Sequence, residues 1–208
     1  QALARQYHGQ LEAKVEERTR QLQHLAEHDP LTRLPNRRQL LAQLNNALAR
    51  AAASGGLVGV YFLDLDHFKN INDSMGHVFG DRVLQTIGDR LRGITKEFGL
   101  SARLGGDEFT VVYERATQME EIQFAGQALV SAFQQPLLVD GRELVIGLSV
   151  GASVFPEHGR DPEALLRAAG CELTPVADGH LCCGSAGTYS ILQPALSGQL
   201  RERKLAAL

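Results

Sequence analysis

The stretch Arg103-Leu104-Gly105-Gly106-Asp107-Glu108-Phe109, continued by Thr110-Val111-Val112-Tyr113, decides how the chain is read. Two glycines sit between short apolar runs, which predicts a β-hairpin over 101–115 with glycines and acids at its turn. Glycine reaches positive φ without steric penalty and lets a ligand come close to the backbone. Two carboxylates at a hairpin tip, beside bare peptide N–H groups, suit a metal ion and a polyphosphate. A solvated turn with ordinary polar residues fits the same four letters, because short motifs match by chance.

Upstream lies Tyr61-Phe62-Leu63-Asp64-Leu65-Asp66-His67-Phe68-Lys69. The run from Leu57 to Leu63 is nearly all apolar and rich in strand formers, as expected for a strand covered on both faces. It then meets Asp64. A carboxylate at the end of a buried strand is costly unless a cation or hydrogen-bond donors meet it. Asp64 and Asp107, brought together from neighbouring strands, would hold Mg²⁺ (or Mn²⁺) through oxygen, with phosphates completing the shell.

Three blocks now carry a resemblance: His28-Asp29-Pro30-Leu31-Thr32-Arg33-Leu34-Pro35-Asn36-Arg37-Arg38, the stretch 64–81, and Gly105-Gly106-Asp107-Glu108-Phe109. In order and spacing they resemble the GGDEF-domain diguanylate cyclases, over about 28–169. The resemblance implies an α/β fold: a central mixed or antiparallel sheet flanked by helices, like the palm of nucleotide cyclases and polymerases. It implies that two GTP condense to cyclic di-GMP with release of two pyrophosphates. It also implies a homodimer, because each domain holds one GTP and the two must face each other.

The resemblance assigns roles as well. Asp64 and the Leu65 carbonyl are metal ligands. Lys69 neutralises phosphate charge that grows in the transition state. Asn72 and Asp81 read guanine, with His77 near the same substrate. A carboxylate accepts from guanine N1–H and N2–H, a donor pair that adenine lacks. Asp107 is the joint metal ligand and proton acceptor, and Glu108 serves the second metal or supports it. Gly105 and Gly106 let the main chain touch the nucleotide. Without the resemblance, Asp81 reads equally well as a helix N-cap. Asp66 and His67 are outer or surface residues in this reading.

The 208 residues are 44% hydrophobic and 22% charged, with net charge −3, an ordinary globular composition. That charge gives no support for binding a nucleic-acid polymer. No apolar stretch reaches a membrane span, and no signal peptide is visible. Gln1 falls inside a helical pattern, which reads as an excised fragment, and an upstream sensor or membrane domain is compatible with that reading. Three cysteines, two adjacent, do not make a disulfide framework, which points to a reducing cytoplasm.

Residues 1–27 read as a coiled-coil-like linker helix. Leu11, Val15, Leu22 and Leu25 follow 4-7-3 spacing, with Arg18 at the intervening core position. A solvated connector helix is the alternative. Asn36 caps a helix whose apolar face is Leu40, Leu41, Leu44 and Leu48, ended by Gly55-Gly56. The segment 65–80 reads as a loop. A helix from about Asp81 presents Val83, Leu84, Ile87, Leu91 and Ile94. Another runs from about Thr117 to Phe133. A hairpin turns at Asp140-Gly141, a strand covers 148–155, and Asp161 or Pro162 opens a last helix.

Two departures from the resembled family stand out. Its Arg-x-x-Asp product-inhibition site falls here on Lys96 and Gly99, so the carboxylate is missing. After Ala169 that family continues a helix with Tyr-x-Ala-Lys and then Gly-Arg-Asn, whose Lys and Arg hold triphosphate. This chain instead reads Gly170-Cys171-Glu172-Leu173-Thr174-Pro175. Residues 170–208, with Cys182-Cys183-Gly184, resemble the end of the iron–sulfur subunit of glycolate oxidase, as in a chimera. Cys171 with that pair supplies three thiols, short of the four a cluster takes.

Overall fold

The computed structural model describes residues 14–19, 22 and 24–171. Six strands and five helices follow the linker. The strands are β1 (Leu57–Leu65), β2 (Gly99–Gly105), β3 (Glu108–Ala116), β4 (Leu137–Val139), β5 (Arg142–Leu144) and β6 (Leu148–Phe155). The helices are α1 (Arg37–Ser54), α2 (Phe68–Met75), α3 (His77–Thr95), α4 (Met119–Gln134) and α5 (Pro162–Ala168). The main sheet has the order β2-β3-β1-β6, and β4-β5 form a separate hairpin. Every pairing is antiparallel, which settles the mixed-or-antiparallel expectation.

Strand β1 is the axis of the fold, and it is covered on both faces as its apolar run predicts. Its side chains alternate. Val58, Val60 and Phe62 pack with Leu40, Leu44 and Leu48 of α1 and Leu165 and Leu166 of α5. Tyr61, Leu63 and Leu65 pack with Val83, Ile87 and Leu91 of α3 and Ile122, Leu129 and Phe133 of α4. The two-residue period of a strand therefore feeds two cores. Only at its C-terminal end does β1 carry a carboxylate, Asp64.

Local signals placed most boundaries. The Asn36 side chain accepts the Gln39 N–H at 3.1 Å, and Gly55 ends α1 in the left-handed region at φ 72°. Asp161 accepts the Ala164 N–H at 2.8 Å, and Pro162 opens α5. The β4–β5 turn puts Asp140 and Gly141 at φ 51° and 75°, the conformation of a two-residue hairpin loop.

Two expectations need correction. The segment 65–80 is not all loop, since α2 occupies Phe68–Met75. Phe68, Ile71 and Met75 recur at helical spacing, but of these only Phe68 is fully buried, and the polar residues between them read as loop. Tertiary packing, rather than propensity, holds so short a helix. Helix α3 also starts at His77, not Asp81, after Gly76 at φ 83°. Asp81 therefore lies in the second turn, and the N-cap alternative for it fails.

Helix α5 stops where the sequence departs from its expected continuation. Gly170 adopts φ 104° and its N–H donates to the Arg167 carbonyl at 3.1 Å. The Cys171 N–H donates to the Leu166 carbonyl at 3.0 Å, completing a Schellman ending. The Cys171 side chain is 1% exposed and packs in the α1/α5 core, so it is no available thiol ligand.

At the other end, residues 14–19, 22 and 24–27 are helical. Val15, Leu22 and Leu25 are 58%, 67% and 65% exposed, a seam left uncovered among the described residues. Leu11, Cys182 and Cys183 lie outside the described residues, as does the rest of 172–208.

Candidate active site

The site is assembled at the end of β1 next to the tip of the β2–β3 hairpin. In the β1–β3 register Asp64 lies directly opposite Glu108. Opposed residues of an antiparallel pair share a face, so two acids meet where like charges are unfavourable. Glu108 is 8% exposed. Asp107 occupies the two-residue tip with Gly106. Burial first, then the negative charges of Asp107 and Asp66, push the Asp64 carboxyl from its ordinary 3.8 up to about 6. The Leu65 N–H opposes this by donating to the carboxylate. Asp64 and Asp107 therefore lie close enough for their charges to repel each other.

That repulsion tests whether a divalent ion fits. Hard carboxylate oxygens gathered at a strand end, with one of them held back from ionising by its neighbours, are the donor set that Mg²⁺ or Mn²⁺ prefers. Among the described residues no three Asp, Glu, His or Cys side chains can cage an ion alone. The shell must be completed by main-chain carbonyl, phosphate or water oxygens. Mg²⁺ commonly binds in this way, through one or two carboxylates plus substrate phosphates.

The hairpin tip is held from below. Gly105 and Gly106 adopt φ 156° and 51°, and a Cβ on either would meet nothing within 4 Å. Glycine is needed there for its backbone angles, and the space above stays open for a ligand. Arg103 donates from Nε and Nη2 to the Gly106 carbonyl at 3.0 and 2.7 Å. Its Nη1 reaches Asp29 at 2.9 Å, with both side chains mostly buried. Asp29 also accepts the Thr32 N–H at 2.8 Å and its hydroxyl at 2.7 Å. Burial pushes Asp29 upward, but the Thr32 bonds and then Arg103 outweigh it, and its carboxyl sits below the ordinary value.

The other expected residues lie on the two short-spaced helices that leave β1. Lys69 is exposed in the first turn of α2. Asn72 is half-buried on α2, His77 opens α3, and Asp81 is exposed one turn later. A Cβ on Gly80 would lie 1.9 Å from Asn72 Oδ1, so the missing side chain is what lets Asn72 lie against α3 beside Asp81.

Three parts of the site were not found by reading the sequence. Asp29 and Thr32 carry no role of their own in the sequence reading, although Asp-x-x-Thr is itself a signal for a side chain that turns back on the main chain. Arg103, the cation before the glycines, was left without a role. Gly80, one residue before Asp81, carried no assignment.

Comparison with known proteins follows this geometry. Diguanylate cyclase TpbB of Pseudomonas aeruginosa is 38% identical over 76% of this chain and 37% of its own length. The solved GGDEF domain of TpbB superposes with TM-score 0.65 at 39% identity, covering 68% of this chain and 83% of that one. Cyclic di-GMP phosphodiesterase NbdA of the same species is 40% identical over 73% of this chain and 19% of its own. The solved coiled coil and GGDEF domain of DgcB from Caulobacter crescentus, in complex with c-di-GMP, gives TM-score 0.69 at 26% identity, covering 81% and 91%. The chain spans only 19% to 37% of the length of the first curated relatives it matches. Residues 149–208 also match a second family, CCG, the cysteine-rich domain. With the family described as "Diguanylate cyclase, GGDEF domain" matching residues 26–176 of 208, this chain belongs to the GGDEF family.

Proposed function

We propose that this chain is a diguanylate cyclase, condensing two GTP to cyclic di-GMP and two pyrophosphates between two copies of the domain. The observation that carries the reading is the convergence of Asp64 and Asp107 at one end of the sheet, with Glu108 opposite Asp64. Bound Mg²⁺ or Mn²⁺ would be held by Asp64, the Leu65 carbonyl and Asp107, with Glu108 serving a second ion or supporting the first, and would supply charge neutralisation at the phosphates and a lowered hydroxyl pKa.

The chain's own groups then take defined parts. Asp107 accepts the proton of the ribose 3′-hydroxyl that attacks the α-phosphorus. Lys69 offsets charge on the departing pyrophosphate. Asn72 and Asp81 select guanine, His77 lies at the same end, and Gly105 and Gly106 admit the nucleotide to the main chain. Residues 1–27 act as the dimeric stalk, supported by the exposed Val15, Leu22 and Leu25. Joining two domains raises their effective concentration and sets their orientation. We place the domain, 28–169, in the cytoplasm, where GTP is available. Among the described residues no helix is long and apolar enough to cross a membrane.

One observation favours a second reading, a GTP-binding, dimerising regulatory module with impaired turnover. Helix α5 ends at Gly170, where the resembled family's triphosphate-holding Lys and Arg would follow. Residues 170–208 are then a foreign segment related to the end of the glycolate oxidase iron–sulfur subunit. With Cys171 buried, Cys182 and Cys183 are two thiols against the four a cluster takes.

Incubation with GTP and Mg²⁺, followed by chromatography, separates the readings. Cyclic di-GMP from the wild type and none from Asp107→Ala supports the cyclase. GTP binding without product supports the regulatory module.

A further inference from the structure

Of the two acids whose charge acts on Asp64, Asp107 and Asp66, the reaction assigns nothing to Asp66. Asp66 accepts the Ser149 hydroxyl at 2.7 Å, across 83 residues of sequence. Its backbone N–H donates to the Gly147 carbonyl at 3.0 Å. An ideal Cβ on Gly147 would lie 2.5 Å from Asp66 Oδ2, so the carboxylate rests where any other residue would put a side chain. This seat is at the exposed rim, where one hydrogen bond adds little to stability. Its position matters more. Ser149 is paired with Asp64 in the β1–β6 register, and His67, immediately after Asp66, takes φ 59° to start α2.

We propose that Asp66 is a positioning residue for the metal end of β1. Its carboxylate, held by Ser149 and seated on Gly147, fixes where α2 leaves the sheet and adds standing negative charge beside Asp64 without being a ligand. The proposal rests on the cation reading of Asp64 and Asp107. Groups that orient metal ligands from behind are worth about 10- to 100-fold in metal affinity. A carboxylate that acts through charge also loses its effect as salt rises.

The test is Mn²⁺ titration of the nucleotide-free whole chain, reading free Mn²⁺ by electron paramagnetic resonance. Asp66→Asn keeps an acceptor for Ser149 and removes the charge, and it is expected to weaken Mn²⁺ binding about tenfold at low salt, less at high salt. Ser149→Ala and Gly147→Ala keep the charge and disturb the seat, and are expected to weaken binding with little dependence on salt. Thermal melting of each variant verifies that it folds, and Ser149→Ala is read alone should the others fail. Asp64→Asn is the control. If it abolishes Mn²⁺ binding while Asp66→Asn and Ser149→Ala bind like the wild type, the role of Asp66 is overturned and the metal site stands. If Asp64→Asn binds Mn²⁺ as the wild type does, the cation reading fails and the proposal with it.

Discussion

Replacing Asp64 by Asn should make the metal-free protein more stable while destroying its activity. In the folded chain burial, Asp107 and Asp66 raise the Asp64 carboxyl from 3.8 to about 6. The sign follows. Between about pH 4 and 6 the folded state holds a proton that the unfolded state has released, so stability falls as pH rises through that window. Above it the ionised carboxylate is a standing cost, worth about 3 kcal/mol at face value. The carboxyl is only half-buried, and solvent screening leaves about 1–2 kcal/mol. Asn has the same shape and no charge, so it removes that cost. For a chain of this size each kcal/mol shifts Tm by about 2–4 °C, which predicts a gain of about 2–8 °C at pH 7.5 without metal.

Two conditions should shrink the gain. At pH 4.5 the wild type is itself protonated, and the two melting curves should approach each other. With Mg²⁺ at ten times its Kd the wild type alone gains about 1.4 kcal/mol. The assay is thermal unfolding of both proteins at pH 7.5 and 4.5, with chelator or Mg²⁺. An Asn variant that melts at or below the wild type at pH 7.5 in chelator refutes the argument, as does a gap unchanged at pH 4.5.

Three further outcomes can be checked. Gly80→Ala puts a Cβ onto Asn72 Oδ1 and should raise the KM for GTP at least several-fold with a smaller change in melting temperature, measured by steady-state kinetics beside thermal unfolding. Arg103→Met strips Asp29 and the Gly106 carbonyl of a charged donor and should cost about 2–3 kcal/mol in urea unfolding at pH 7. Asp29 is depressed in the fold, so its contribution is complete above its ordinary 3.8 and disappears as pH falls through its lower folded value; the gap between the wild type and Arg103→Met should narrow as pH falls below 3.8. Lys96 and Gly99 should give no tight product binding at the inhibition site. Gly99→Asp should destabilise the protein rather than restore that site, because a Cβ at residue 99 lies 1.8 Å from the Val112 carbonyl oxygen; calorimetric titration with cyclic di-GMP, together with melting curves, decides it.

The parts that could be read from sequence were those set by neighbouring residues. The apolar run of β1, the Asn36 and Asp161 caps and the Asp140-Gly141 turn are short-range signals, and each marks its element in the fold. The Gly-Gly-acid-acid tip was readable because its backbone angles are glycine angles. Helix α2 was harder to read, because its apolar stripe is only Phe68, Ile71 and Met75 among polar, loop-forming residues, and so short a helix is held by packing.

Residue types named the candidate acids, but only strand register could bring them together. Pairing of β1 with β3 puts Asp64 opposite Glu108 and within repelling distance of Asp107. Arg103 meets Asp29 across 74 residues, and Asp66 meets Ser149 across 83. A shift of one residue in either pairing would turn these groups to opposite faces. Such contacts depend on how distant strands align, and no local pattern in the chain encodes that alignment.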